Sequence, residues 1–150
     1  MTVRFDLETH IAAAPAAVFD ASLDIDAHLA SMQESGEQAV GGVTSGMIGL
    51  GETVTWKAKH FGITWKMTSK ITELDRPNRF VDAQQRGPFR RFHHVHTFEA
   101  TPAGTLMRDH IEFDAPFGPL GDLVERLVLG SYLPKLITER NDYLRSELER

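Results

Sequence analysis

The chain has 150 residues, of which 41% are hydrophobic and 25% are charged, and its formal net charge is −5 at pH 7. A chain of this length is most simply one domain with a real core, because such a chain buries about 70% of its unfolded surface. The acidic balance argues against nucleic acid as a partner, since phosphate binding needs clustered cations.

Two further features narrow the class of protein. The absence of cysteine excludes disulfides, thiolate catalysis and cysteine metal sites. No apolar run reaches the roughly 18 residues of a transmembrane helix, and the alternating start MTVRFDLETHI is not typical of a signal peptide. We therefore expect a cytoplasmic protein without a transmembrane segment.

The first elements are a strand and two short helices. Residues 2–11 alternate between apolar and polar side chains, which predicts a half-buried strand. The following stretch AAAPAAVFDASLDIDAHLASM predicts two short helices, with Pro15 in a first helical turn and Ser22 or Asp24 as the cap of the second. The glycine-rich GGVTSGMIGLGE after them predicts a weak strand and a mobile loop near a cavity mouth.

Next comes a predicted hairpin, TVTWKAKH and ITWKMTSKI, with its turn at Phe61-Gly62. The opposite face of this hairpin carries lysines and threonines and is exposed to solvent. Directly opposed residues of a hairpin share one face. The predicted apolar face consists of the pairs Val54–Ser69, Trp56–Met67, Ala58–Trp65 and His60–Ile63.

The last predicted hairpin places polar groups on an apolar face. With a turn at residues 101–104, the inward pairs are Phe92–Phe113, His94–Ile111, His96–Asp109 and Phe98–Met107. The other face is mostly charged, so it faces solvent together with His93 and His110. His94, His96 and Asp109 are therefore predicted to lie on the buried side, provided that the register holds.

After Pro116 the apolar spacing becomes helical. Pro134 would clash with the carbonyl of Gly130, so we expect a short helix, a break near residues 130–134 and a long terminal helix. A segment at Pro116–Gly121 is a candidate entrance hinge. The order of a strand, two short helices, about six strands and a long helix predicts an α+β fold in which the helix packs on an antiparallel sheet.

The segment GPFRRFHHVHTFEATPAGTLMRDHIEFDAPFGPLGDL and the loop SGMIGLGE resemble the START-like, birch-pollen-allergen-like superfamily (SRPBCC). The first is similar to bacterial members of the polyketide cyclase/dehydrase type. The resemblance covers essentially the whole chain and implies one helix-grip domain. In that fold a seven-stranded antiparallel sheet wraps around a long C-terminal helix and encloses an apolar ligand cavity. It implies no single activity, because the superfamily includes lipid carriers, hormone receptors and cyclases.

The buried polar residues allow three interpretations. Opposed Cβ atoms lie about 4.5–5.5 Å apart, so His96 and Asp109 can form a hydrogen-bonded pair that fixes register and contacts a ligand. The same pair can act as a general acid/base. His94 and His96 with Asp109 can also supply three metal ligands, although two histidines on one strand are common without a metal. We predict no metal and no cofactor.

We predict that the protein binds an apolar or aromatic small molecule, lipid-like or polyketide-like, between sheet and helix. Two alternatives stay open: a cyclase or dehydratase that uses His96 and Asp109, and an interaction module whose cavity is filled by side chains. A homodimer is also left open. The predicted ligand contacts are Trp56, Trp65, Met67, Phe92, His94, His96, Phe98, Met107, Asp109, Ile111, Leu133 and Ile137.

Overall fold

The computed structural model describes residues 2–60, 62–114, 118–119, 121–122 and 132–150. Within these ranges the elements with complete bounds are seven strands, three α-helices and one short 3₁₀-helix (Gln33–Ser35). In chain order the strands and α-helices are β1 (Thr2–Ile11), α1 (Pro15–Ser22), α2 (Ile25–Ser31), β2 (Gln38–Gly42), β3 (Thr53–His60), β4 (Ile63–Asp75), β5 (Arg79–Arg86), β6 (Arg91–Thr101), β7 (Gly104–Asp114) and α3 (Tyr132–Leu148).

The described strands form one antiparallel sheet in the order β1-β7-β6-β5-β4-β3-β2. Strands β2 to β7 follow one another as a meander, and β1 joins the far edge by pairing with β7 along its whole length. Helix α3 packs against β1 and against both short helices. The predicted α+β helix-grip fold, with its long C-terminal helix and two short early helices, is confirmed.

Both predicted hairpin registers are confirmed. Trp56 lies opposite Met67, and Ala58 lies opposite Trp65. In the last hairpin His96 lies opposite Asp109. The face of the sheet that carries these residues is called the inner face below. Period-two alternation sets this register, because a slip of one residue would move every apolar side chain to solvent.

The two short helices begin where the sequence predicts. Pro15 is the first residue of α1, where its missing N–H costs no hydrogen bond. Asp24, not Ser22, caps α2: its Oδ1 accepts the backbone N–H groups of Asp26 at 2.9 Å and Ala27 at 3.2 Å. The Ser22 hydroxyl instead donates back to the carbonyl of Val18.

The glycine-rich loop between β2 and β3 is fastened to these helices. Gly46 accepts a hydrogen bond from the backbone N–H of Ile25 at 2.9 Å and donates its own N–H to Asp26 Oδ2 at 3.0 Å. Ile48 donates its backbone N–H to Leu23 and is buried. The strand here, β2, ends at Gly42 and overlaps the predicted stretch only at Gly41 and Gly42. The contacts above anchor the loop that follows, which does not stand free as a flap.

The C-terminal helix α3 is described from Tyr132 onwards, and Pro134 is its third described residue. Its buried face consists of Ile137, Arg140, Asn141 and Leu144. The predicted short helix over residues 120–128 and the candidate hinge at 116–121 lie largely outside the described residues.

An aromatic cluster joins α1 to the inner face of the sheet. The Phe19 ring, 1% exposed, meets Phe80 edge-on at 5.5 Å and Phe98 at 5.3 Å between centroids. The opposite neighbour of Phe80 is His96, whose imidazole stacks on it at 4.0 Å. The core contact of α1 therefore also supports a polar ring at the centre of the sheet.

We expect Phe19→Ala to lower the free energy of unfolding by about 3–5 kcal/mol, because it removes a fully buried ring and leaves a cavity. Urea denaturation followed by far-UV circular dichroism measures this loss. Leu50→Ala is the control, since Leu50 is 60% exposed and should change stability by less than about 0.5 kcal/mol. Similar losses in the two variants would contradict this account of the core.

Candidate functional site

The inner face of the sheet, the short helices and α3 line a partly open cavity of about 290 Å³. Its wall is mainly apolar and aromatic, as in most small-molecule sites. Its lining residues come from α2 and β3 as well as from β6 and α3. The apolar wall includes Leu23, Ile25, Met32, Ile48, Val54, Trp56, Ala58, Trp65, Met67, Ile71, Phe80, Phe89, Phe92, Leu133, Leu136 and Ile137.

The structure places eight of the twelve predicted contact residues on the cavity wall: Trp56, Trp65, Met67, Phe92, His94, His96, Leu133 and Ile137. The other four, Phe98, Met107, Asp109 and Ile111, share the inner face but do not line the cavity. They are covered by other elements. Phe98 packs under Phe19 of α1, and Met107 accepts a contact from the Ser22 hydroxyl at 3.8 Å. The helices that close the cavity thus also occupy part of the sheet.

Asp109 lies behind the cavity wall and has no exposed surface. Its Oδ1 accepts from His94 Nε2 at 2.7 Å and from Arg140 Nη2 at 3.2 Å. Its Oδ2 accepts from Asn141 Nδ2 at 2.7 Å. The Arg140 guanidinium also donates to the amide oxygen of Asn141. A strand and the C-terminal helix thus satisfy one buried carboxylate together.

The prediction of a hydrogen bond between His96 and Asp109 is wrong, because each residue bonds a different partner. The two residues are opposed, but His96 Nδ1 is 3.5 Å from Asp109 Oδ1 and forms no hydrogen bond there. His96 Nε2 instead bonds Asp82 Oδ2 at 2.6 Å, and Asp109 takes its imidazole partner from His94.

Ring stacking explains this exchange of partners. Phe80, His96 and His94 form a continuous stack, with centroids 4.0 Å and then 3.7 Å apart. Because the rings lie nearly parallel, each imidazole reaches a residue diagonal to it on a neighbouring strand. Asp82 lies opposite His94 but bonds His96.

Asp82 and Asn141 are site residues that the sequence analysis missed, although the spacing of each from its apolar neighbours indicates an inward position. Asp82 is two residues after Phe80 on one strand, so period-two alternation places both on the inner face. Asn141 follows Ile137 by four residues and precedes Leu144 by three, which puts it on the apolar stripe of α3.

The charges of the network follow from burial and pairing. Burial alone would raise the pKa of Asp109, but the Arg140 guanidinium and the bond from His94 outweigh it and hold that pKa well below its usual range. Burial likewise opposes ionisation of Asp82, yet the bond from His96 and the neighbouring imidazoles keep its pKa low. Burial lowers the pKa of His96 to about 4, so this ring is neutral at pH 7.

A second polar group lines the other side of the cavity. His60 Nδ1 bonds the hydroxyl of Tyr132, which joins the end of β3 to the first turn of α3. His28 Nε2 bonds Glu37 Oε1 at 2.8 Å, and its ring lies 4.2 Å from that of Trp56. Burial lowers the pKa of His60, against the opposing charge of Glu37.

One group among the described residues can hold a metal ion. Asp82, His94 and His96 each offer one ligand atom, and these atoms lie within 4.8 Å of one another. Asp109, the third metal ligand considered from the sequence, is instead occupied by Arg140 and Asn141.

No helix within the described residues is long and apolar enough to cross a membrane.

Comparison with known proteins bears on this site. The family described as polyketide cyclase/dehydrase and lipid transport matches residues 2–149. The chain belongs to this family. Membership confirms the predicted resemblance, and it supports a ligand-binding or cyclase role. No protein of curated function matches the sequence.

Solved structures share the fold at low identity. Zhui aromatase/cyclase from Streptomyces sp. R1128 superimposes with a TM-score of 0.79 at 14% identity, over 100% of this chain and 95% of that one. TTHA0849 from Thermus thermophilus gives 0.72 at 18%, over 98% and 99%. The major latex-like protein 151 from Panax ginseng gives 0.65 at 12%, over 99% of each chain. At these identities the likeness shows a shared architecture and no shared activity.

We expect Asp109→Asn to destabilise the protein by about 3–5 kcal/mol, because an amide cannot accept from donors on both sides and Arg140 loses its buried counter-charge. Urea denaturation measures the loss. Asp142→Asn is the matched control on α3: its carboxylate is 55% exposed and pairs with Arg145 at 3.2 Å, so the expected loss is below about 0.5 kcal/mol. A loss below about 1 kcal/mol for Asp109→Asn would contradict a central role for this carboxylate.

The lowered pKa of His60 predicts a pH dependence of stability. The folded state binds its proton less readily than the unfolded chain, whose histidine pKa is about 6.5. The contribution of His60 is therefore complete above that pH and is lost as the pH falls through the folded value. We expect the free energy of unfolding to fall more steeply between about pH 7.5 and 5 in the wild type than in His60→Gln. Equal slopes in parallel urea titrations would refute this.

Proposed function

We propose that this protein is a cytoplasmic binding protein for a hydrophobic or aromatic small molecule, lipid-like or polyketide-like. The observation that carries the proposal is an apolar cavity of about 290 Å³ with its polar groups gathered in two places. Such a volume fits a drug-sized or smaller ligand. It does not fit the alternative of an interaction module whose cavity is filled by side chains.

The apolar part of the ligand would contact the aromatic wall. Trp56 and Trp65 come from neighbouring strands, and Phe92 comes from β6. Leu133 and Ile137 of α3 face them across the cavity. Aromatic side chains each bury a large area at small entropic cost, and they suit planar or greasy guests.

The polar end of the ligand would lie against β4 to β6. Ser69 lines the cavity, and its hydroxyl is buried and has no hydrogen-bond partner among the described residues. An unpaired buried hydroxyl costs free energy unless something bonds it. His94 and His96 lie on the same wall. A ligand with a hydroxyl or carbonyl oxygen would lie in reach of the imidazoles, and it would satisfy Ser69 after a rotation of that hydroxyl towards the cavity.

A second candidate is a cyclase or dehydratase. It is favoured by one observation: His94 lines the cavity while its Nε2 bonds the buried carboxylate of Asp109 at 2.7 Å. A carboxylate that orients an imidazole is the arrangement of a general acid/base. The pair is His94 and Asp109, rather than His96 and Asp109 as the sequence predicted. The aromatase/cyclase activity of one structural neighbour points the same way by analogy.

Native mass spectrometry of the protein purified from its own host tests the proposal, followed by denaturing extraction of any bound compound. We expect one apolar compound per chain. The affinity of an environment-sensitive apolar dye should fall at least about tenfold in Ala58→Phe, which fills the cavity from β3. Val40→Phe adds the same ring at an exposed site away from the cavity and should bind the dye as the wild type does.

The outcomes separate the two functions. A protein that is empty and also fails to bind the dye, or an Ala58→Phe variant that binds it normally, would overturn the binding proposal. If the extracted compound is converted by fresh protein, His94→Ala distinguishes the enzyme. Turnover should then fall by about 10²–10⁴-fold while dye affinity is kept.

A further inference from the structure

Two imidazoles and one carboxylate converge on the polar wall of the cavity. His96 Nε2 lies 2.6 Å from Asp82 Oδ2, and His94 Nδ1 lies 3.9 Å from the same oxygen. All three residues line the cavity. Two histidines and one carboxylate with open positions form a donor set that holds divalent first-row transition metals in proteins.

We propose that Asp82, His94 and His96 bind one divalent transition-metal ion of the zinc type, with its open coordination positions facing the cavity. The ligand atoms would be His94 Nδ1, His96 Nε2 and a carboxylate oxygen of Asp82. The site goes beyond the binding of an apolar molecule and can exist without one. Any guest with an oxygen at its polar end would then meet a Lewis acid.

The residues behind these ligands have the arrangement that metal-binding histidines require. A ligating histidine almost always donates its other ring N–H to a carboxylate or carbonyl, which sets the tautomer and aims the ring. Asp109 Oδ1 is 2.7 Å from His94 Nε2 and 3.5 Å from His96 Nδ1. One buried carboxylate therefore lies behind both imidazoles. Arg140 and Asn141 hold it in place.

The unpartnered nitrogen of His96 is an independent sign. In neutral His96 the proton lies on Nε2, which donates to Asp82, so the lone pair of Nδ1 points towards an oxygen of Asp109. An acceptor thus faces an acceptor in a side chain that is 2% exposed, and Nδ1 has no hydrogen-bond partner. A metal ion on Nε2 shifts the proton to Nδ1, where it becomes a donor towards Asp109. Metal binding would remove the only unsatisfied ring nitrogen that the described part of the chain buries.

Charge and space also favour a cation. Asp82 and Asp109 carry two negative charges against the single positive charge of Arg140, which leaves one negative charge when both imidazoles are neutral.

Metal–ligand bonds of about 2.0–2.2 Å set the ligand atoms roughly 3.0–3.5 Å apart. The Asp82–His96 distance must therefore lengthen, the Asp82–His94 distance must shorten, and the stacked rings must fan apart. Asp82 has room to move, because its side chain is 20% exposed at the cavity.

Cobalt(II) titration of the untagged, chelator-treated protein tests the site, because ligand-field absorption in visible light reports both binding and geometry. We expect one equivalent to bind the wild type. His94→Ala and Asp82→Asn should lose that site, and Asp109→Asn should weaken it by about 10–100-fold. His93→Ala is the matched control, since it removes the adjacent histidine, which is not on the cavity wall, and should leave the titration unchanged.

Two outcomes of the cobalt titration would overturn the proposal. A wild type that takes up no stoichiometric cobalt overturns the proposal. So does uptake that survives His94→Ala and Asp82→Asn or that disappears in His93→Ala, because surface histidines then bind the ion. Far-UV circular dichroism of each variant shows whether it is folded, and Asp82→Asn, with its side chain at the cavity surface, decides if His94→Ala is not. The titration measures metal uptake alone, so a negative result leaves the binding function untouched.

Discussion

The carboxylate of Asp109 joins the sheet to the C-terminal helix. A buried ionised carboxylate without partners costs several kcal/mol, and here the partners come from two separate elements, His94 on β6 and Arg140 with Asn141 on α3. The helix can lie only where both of its side chains reach this one acid. That constraint places the preceding turns of α3 over the inner face, with Leu133 lining the space that remains. The cavity is therefore a consequence of the network behind it.

Proton transfer and metal binding at the polar wall would use the same two ring nitrogens. His94 Nδ1 and His96 Nε2 can each hold a proton or a metal ion, but not both. General acid/base catalysis by these rings and metal binding at Asp82 therefore exclude each other. Asp109 supports either state, because a carboxylate behind an imidazole orients it for proton transfer and for coordination alike. Plain ligand binding needs neither.

Period-two alternation and the positions of the turns were sufficient to predict both hairpin registers and the burial of His94, His96 and Asp109, and the family resemblance supplied the seven-stranded sheet. Alternation was not sufficient to predict hydrogen-bond partners, because a register names the opposed residue while tilted side chains reach diagonal ones. The stack of Phe80, His96 and His94 produces that tilt, and no local pattern in the sequence encodes it. The sequence also did not predict which inner-face residues the helices cover. Alternation puts Phe98 on the inner face, but only the packing of α1 shows that it is hidden from the cavity.

The positions of the two tryptophans give the protein an optical property. The chain contains only Trp56 and Trp65, and both line the cavity from neighbouring strands. Indole emission shifts to shorter wavelength when water around the ring is replaced by apolar groups. Because no tryptophan lies elsewhere to dilute the signal, the emission spectrum of the unlabelled natural chain originates from one compartment. The wavelength of this emission therefore distinguishes a water-filled cavity from one that holds a ligand, even when the ligand has not been identified.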